Sequence, residues 1–71
     1  MLLQTPYEMA LDAAKRFRQL RMSKKISLKA LSEQSGVPYS TLRRFESSGE
    51  ISFVSLAKLA SAMRSEERRV G

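Results

Sequence analysis

The 71-residue chain has no cysteine and no histidine. That excludes a disulfide framework and the usual zinc ligands, and it removes the thiol nucleophile and the commonest general base. No apolar run approaches the roughly 18 residues of a membrane span. The N-terminus "MLLQTPYEMALDAAK" lacks a basic stretch followed by an apolar core, so it does not read as a signal peptide. No spacing suits paired catalytic carboxylates, and no glycine-rich loop suits a bound phosphate. The expectation is a cytoplasmic, soluble, non-enzymatic protein that needs no cofactor or metal.

What is present is positive charge. Thirteen Lys and Arg face seven Asp and Glu, a net charge of +6 with a pI near 10.3. Seven cations, Lys15, Arg16, Arg18, Arg21, Lys24, Lys25 and Lys29, lie between positions 15 and 29 with no acid among them. Such clustering favours a phosphate backbone over a merely solvated surface.

A chain this short forms at most one domain, and its core is thin. Pro6 suits the first turn of a helix, and from Tyr7 onward Ala10, Ala13, Ala14, Phe17 and Leu20 recur at helical spacing to about Met22. Ser27 reads as the N-cap of a second helix, "LKALSEQS", closed by Gly36. A third helix begins at Pro38 and ends near Gly49. Ser52 caps a fourth, "FVSLAKLASAM", with Phe53, Leu56, Leu59, Ala60 and Met63 expected to face inward. The pattern contains no strand, repeat or low-complexity tract. The predicted fold is all-α, a compact bundle of four to five short helices.

At about 100° per residue, Tyr39, Ser40, Arg43, Arg44 and Ser47 share one arc of the third helix. Leu42 and Phe45 fall on the other side, with Glu46 beside Leu42. On the first helix, Arg21 follows Leu20 within the apolar stripe. Two readings stand for these charges: Arg21 and Glu46 pair inside the core, or both flank it partly exposed. A planar guanidinium can hold a carboxylate with two hydrogen bonds, which favours the pair.

Residues 26–63, "ISLKALSEQSGVPYSTLRRFESSGEISFVSLAKLASAM", resemble the Cro/repressor-type, XRE-like helix-turn-helix family, which includes phage repressors. Leu31, "SGV" at 35–37, "STL" leading into Glu46, and the helix "SFVSLAKLA" carry the match. Phe17–Arg21 resembles the family's first helix, so the likeness spans about residues 9–63. It implies a lambda-repressor-like fold and an ion pair between Arg21 and Glu46. It implies sequence-specific binding of double-stranded DNA as a transcriptional regulator, with a recognition helix of about Pro38–Ser48. By position, Tyr39, Ser40 and Arg44 match base-reading sites, with Arg43 beside them. Ser27, Thr41 and Ser47 match phosphate contacts, and Lys29 lies among them. Two alternatives stay open: Tyr39 as a ring lying on the surface, and Thr41 as a hydroxyl bonded to its own helix. Three positions depart from the family: Leu28 where glutamine is common, Ser32 for a small alanine, and Pro38 for a hydroxyl cap.

A second resemblance is to HipB-like antitoxins, which implies operator DNA plus a HipA-like toxin protein as partners. Beyond Met63 the family usually continues into a loop and often a fifth helix. Here the chain reads "RSEERRVG", which back-translates to AGATCGGAAGAGCGTCGTGTAGGG, a match to a widely used sequencing-library adapter. Residues 1–63 are therefore read as the native domain and 64–71 as adapter read-through. Those eight residues hold three arginines and two glutamates, +1 in all, leaving +5 for the rest. Little apolar surface is expected to remain for self-association, so a homodimer is expected only with a native C-terminus.

Overall fold

The computed structural model describes the backbone of residues 3–68 and the side chains of residues 3–64. Four helices follow one another: α1 (Pro6–Ser23), α2 (Leu28–Ser35), α3 (Tyr39–Ser48) and α4 (Phe53–Arg68), with no strand among the described residues. Of the tail 64–71, the backbone to Arg68 continues α4. Its last three residues, and its side chains beyond Arg64, lie outside the described residues.

Local chemistry sets each boundary. Thr5 caps α1: its hydroxyl accepts from the Glu8 amide at 3.2 Å, and its own amide donates to the Glu8 carboxylate at 2.7 Å. This reciprocal pair satisfies two otherwise orphaned amides, one on each side of Pro6. α1 stops at Lys24, and Lys25 takes φ +58°, the left-handed turn that glycine usually supplies. The Ser27 hydroxyl accepts from the Ala30 amide at 3.0 Å to start α2. Gly36 ends α2 at φ +78°. Pro38 precedes α3 without a side-chain cap, and Gly49 ends α3 at φ +81°. The Ser52 hydroxyl accepts from the Ser55 amide at 3.1 Å at the head of α4.

α3 packs against α1 and α2, and α4 packs against α2. The core consists of Ala14, Ile26, Leu31, Val37, Leu42, Phe45, Leu59, Ala62 and Met63. The Phe17 ring meets Phe45 edge-on, with centroids 5.4 Å apart, a favoured aromatic geometry.

Two predicted stripes are corrected. On α4, Leu59 and Met63 are buried, but Phe53 is 83% exposed, and Leu56 and Ala60 are also exposed. Measured from Leu59 at about 100° per residue, Ala62 and Met63 lie within about 60°, Leu56 lies at the edge of that arc, and Ala60 and Phe53 lie about 100–120° away. α4 meets α2 along the first arc, and the second is left outside. On α1, Ala14 is buried and Phe17 half-buried, whereas Tyr7, Ala13 and Leu20 are exposed. Ala13 and Leu20 lie about 100–120° round the helix from Ala14, outside the arc that meets α3, and Tyr7 sits in the first turn of an 18-residue helix that is longer than the 10-residue α3 it rests on.

Candidate nucleic-acid interface

The α2–α3 turn is fixed from both sides. Leu31, Val37 and Leu42 are almost fully buried and clamp the two helices together. The Ser32 hydroxyl donates to the Val37 carbonyl at 2.7 Å, and the Val37 amide donates to the Ser35 hydroxyl at 3.1 Å. Ser32 thus does more than fit where a small alanine is common: it ties the turn to α2. Gly36 has nothing within 4 Å of a built Cβ, so its left-handed backbone alone requires glycine.

With Leu42 and Phe45 buried, the opposite arc of α3 faces out. Tyr39, Ser40, Arg43, Arg44 and Ser47 are all exposed there. The half-exposed Tyr39 ring shares a recess with Lys29, Ser32 and Glu33. That recess brings the first turn of α2 beside the first turn of α3. Ser27 and Lys29 are both exposed, and the Ser27 hydroxyl, already accepting from Ala30, keeps its own proton to donate. The Ser47 hydroxyl donates back to the Arg44 carbonyl at 3.1 Å. Thr41 is half-buried, makes no such backbone bond, and lines a recess with Arg44, Glu50, Ser52 and Ser55. The back-bonded hydroxyl considered for Thr41 therefore occurs at Ser47 instead.

Two residues near this face escape a reading of residue spacing. Ser48 donates to the Arg44 carbonyl at 2.7 Å, and Glu50 pairs with the Arg44 guanidinium at 3.0 Å. Six residues separate Arg44 from Glu50 across a helix end, so no helical periodicity relates them. Only the turn at Gly49 brings them together.

Arg21 and Glu46 lie behind the face. Arg21 donates from Nε to Oε2 at 2.8 Å and from Nη2 to Oε1 at 3.2 Å. Its Nη1 also donates to the Ile26 carbonyl at 2.7 Å. One guanidinium therefore ties α1, the α1–α2 loop and α3 together. The two side chains retain 11% and 9% exposure, so the pair sits at the edge of the core rather than within it.

The basic cluster is not one surface. Arg21 is committed to Glu46, while Lys15, Arg18, Lys25 and Lys29 are exposed. Arg16 is exposed too, but it lines an apolar groove with Ala13, Phe17, Leu20, Phe45 and Leu56. That groove corrects the expectation that little apolar surface remains on the outside.

Two helices clamped by a tight turn, the second with a polar, cationic outer arc, define a helix-turn-helix DNA-binding module. The helix-turn-helix family profile matches residues 17–69, and the chain belongs to this XRE-type family, whose members bind double-stranded DNA and regulate transcription. No curated protein and no solved structure matches the chain. No described helix is long and apolar enough to cross a membrane.

Proposed function

We propose that the chain is a sequence-specific, cytoplasmic transcriptional regulator that lays Pro38–Ser48 in the major groove. Tyr39, Ser40, Arg43 and Arg44 read base edges, Ser27, Lys29 and Thr41 hold phosphates, and Ser47 does so by turning its hydroxyl from the Arg44 carbonyl to a phosphate. One observation carries the reading: the arc of α3 opposite buried Leu42 and Phe45 holds an aromatic ring, two hydroxyls and two arginines, all exposed. Arginine is the most frequent partner of guanine in the major groove, and hydroxyls serve either bases or phosphates. Selection of bound duplexes from a random pool tests it. An enriched motif is expected. Recovery of random sequence would refute the reading.

The DNA-binding unit is taken as residues 1–63. Resequencing the source DNA across codon 64 tests whether "RSEERRVG" belongs to the gene.

The apolar groove between α1, the end of α3 and α4 favours a protein partner as well. None of the four base-reading residues lines it. A second copy of this chain is one candidate. A toxin neutralised by an antitoxin of this fold is the other. A kinase-like toxin gene directly downstream, whose product co-purifies with this chain, would select the antitoxin reading.

A further inference from the structure

We propose that Glu50 is a positioning residue for Arg44: it holds the guanidinium so that one defined edge meets a guanine, and it opposes indiscriminate contact with phosphate. The proposal rests on the base-reading role given to Arg44 above.

The geometry is a closed ring of bonds around Arg44. Gly49 turns the chain back at φ +81°, its amide donating to the Phe45 carbonyl at 2.7 Å. The Ser48 hydroxyl donates to the Arg44 carbonyl at 2.7 Å and accepts from the Glu50 amide at 3.2 Å. The Glu50 backbone is thereby fixed to the Arg44 backbone. The Glu50 side chain then folds back to the Arg44 side chain. Its Oε1 accepts from Nε at 3.2 Å and lies 3.0 Å from Nη2 in an ion pair.

A guanidinium has two edges that can donate a parallel pair of hydrogen bonds. Glu50 occupies the side-on edge, formed by Nε and Nη2. The end-on edge, Nη1 with the second proton of Nη2, stays free. A pair of that kind matches O6 and N7 of guanine. Without Glu50, a long cation on this face would sample many rotamers and bind any phosphate in reach, whatever the sequence. Arg44 and Glu50 are 73% and 51% exposed, so the pair adds little to folding. Its effect is expected in discrimination between sequences.

The test uses Glu50→Ala and Glu50→Gln, each also combined with Arg44→Ala. Affinities are measured for the selected duplex, for that duplex with its guanine replaced, and for random duplex. Removing the acid is expected to raise affinity for random duplex in both variants. Glu50→Ala is expected to lower the preference for the guanine roughly 3- to 10-fold, the cost of ordering one long side chain at binding. Glu50→Gln keeps the acceptor oxygen and is expected to keep most of that preference. With Arg44→Ala in place, neither change is expected to alter it. Equal behaviour of Glu50→Ala and Glu50→Gln would overturn the proposal, leaving Glu50 as a repelling charge only. So would a loss of preference that persists without Arg44. If the parent chain prefers a motif and Glu50→Ala leaves the preference intact, this proposal alone falls. If the parent shows no preference at all, the base-reading role of Arg44 falls with it.

Discussion

Arg21→Ala, set beside Arg44→Ala, separates a structural arginine from the one proposed to read DNA. Arg21 makes two hydrogen bonds to Glu46 and one to the Ile26 carbonyl. Its removal leaves a carboxylate with 9% exposure and a backbone carbonyl without that donor. Breaking a fully buried pair costs about 3–5 kcal/mol. This pair lies at the edge of the core, where water can enter part of the vacated space. The lower end, about 3 kcal/mol, is therefore expected. A domain of 71 residues has a stability of roughly 4–10 kcal/mol, so about 30% or more of it is at stake. Thermal and urea unfolding measure this directly. Affinity for all duplexes, specific and random, is expected to fall together, in proportion to the folded fraction. Arg21→Met with Glu46→Leu removes both charges and is expected to recover much of the loss. Arg44→Ala, in contrast, removes a 73%-exposed side chain. It is expected to shift stability by no more than about 0.5 kcal/mol, while costing about 1–3 kcal/mol on the preferred duplex. Should Arg21→Ala melt like the parent and lose only specific binding, the structural role assigned to the pair is wrong.

Three further outcomes follow from particular contacts. Gly49→Ala would place a Cβ 2.7 Å from the Ala10 carbonyl carbon, whereas Gly36→Ala meets no atom within 4 Å. Gly36→Ala is thus expected to cost only the left-handed backbone strain, about 1–2 kcal/mol. Gly49→Ala is expected to cost more and to loosen α1 from α3; equal melting temperatures would refute the close approach. A monomer neutralising roughly three to five phosphates with Lys29 and neighbouring cations is expected to give a log–log salt slope of about −3 to −4.5, and a flat dependence would remove the basic cluster from the contact surface. Leu20 is 44% exposed in the apolar groove, so Leu20→Glu is expected to abolish any self-association seen by sedimentation at micromolar concentration without unfolding the domain. An unchanged dimer would place the interface elsewhere.

Much of the fold was legible because its signals are local. Ser27, Gly36, Gly49 and Ser52 act on the backbone within a few residues, and each bounds a helix where its chemistry suggests. The orientation of α3 was legible for a related reason: Leu42 and Phe45 leave only one arc for the core. The α1 and α4 stripes were harder. Both helices carry apolar residues over a wider arc than they bury, and the choice among them depends on how each helix crosses its neighbour. Phe53 and Leu59 are equally apolar in sequence, yet α2 covers only Leu59. Thr5 also went unread as a cap, although Glu8 three residues on completes the capping-box pattern.

The polar residues show the same division between local and tertiary information at finer scale. The wheel places Arg44 outward, which suffices to propose contact with DNA. It does not say which of the five guanidinium donors face outward, and recognition of a base depends on that. The orientation of those donors is set after the helix ends, by a left-handed glycine at 49, a serine hydroxyl at 48 and a carboxylate at 50. Gly49 has a second duty, because the same residue lets α1 approach the end of α3 to a distance no side chain would permit. Changes that move α1 relative to α3 are therefore expected to reach Arg44 through this turn. With the base-reading role proposed for Arg44, packing and base preference are linked there.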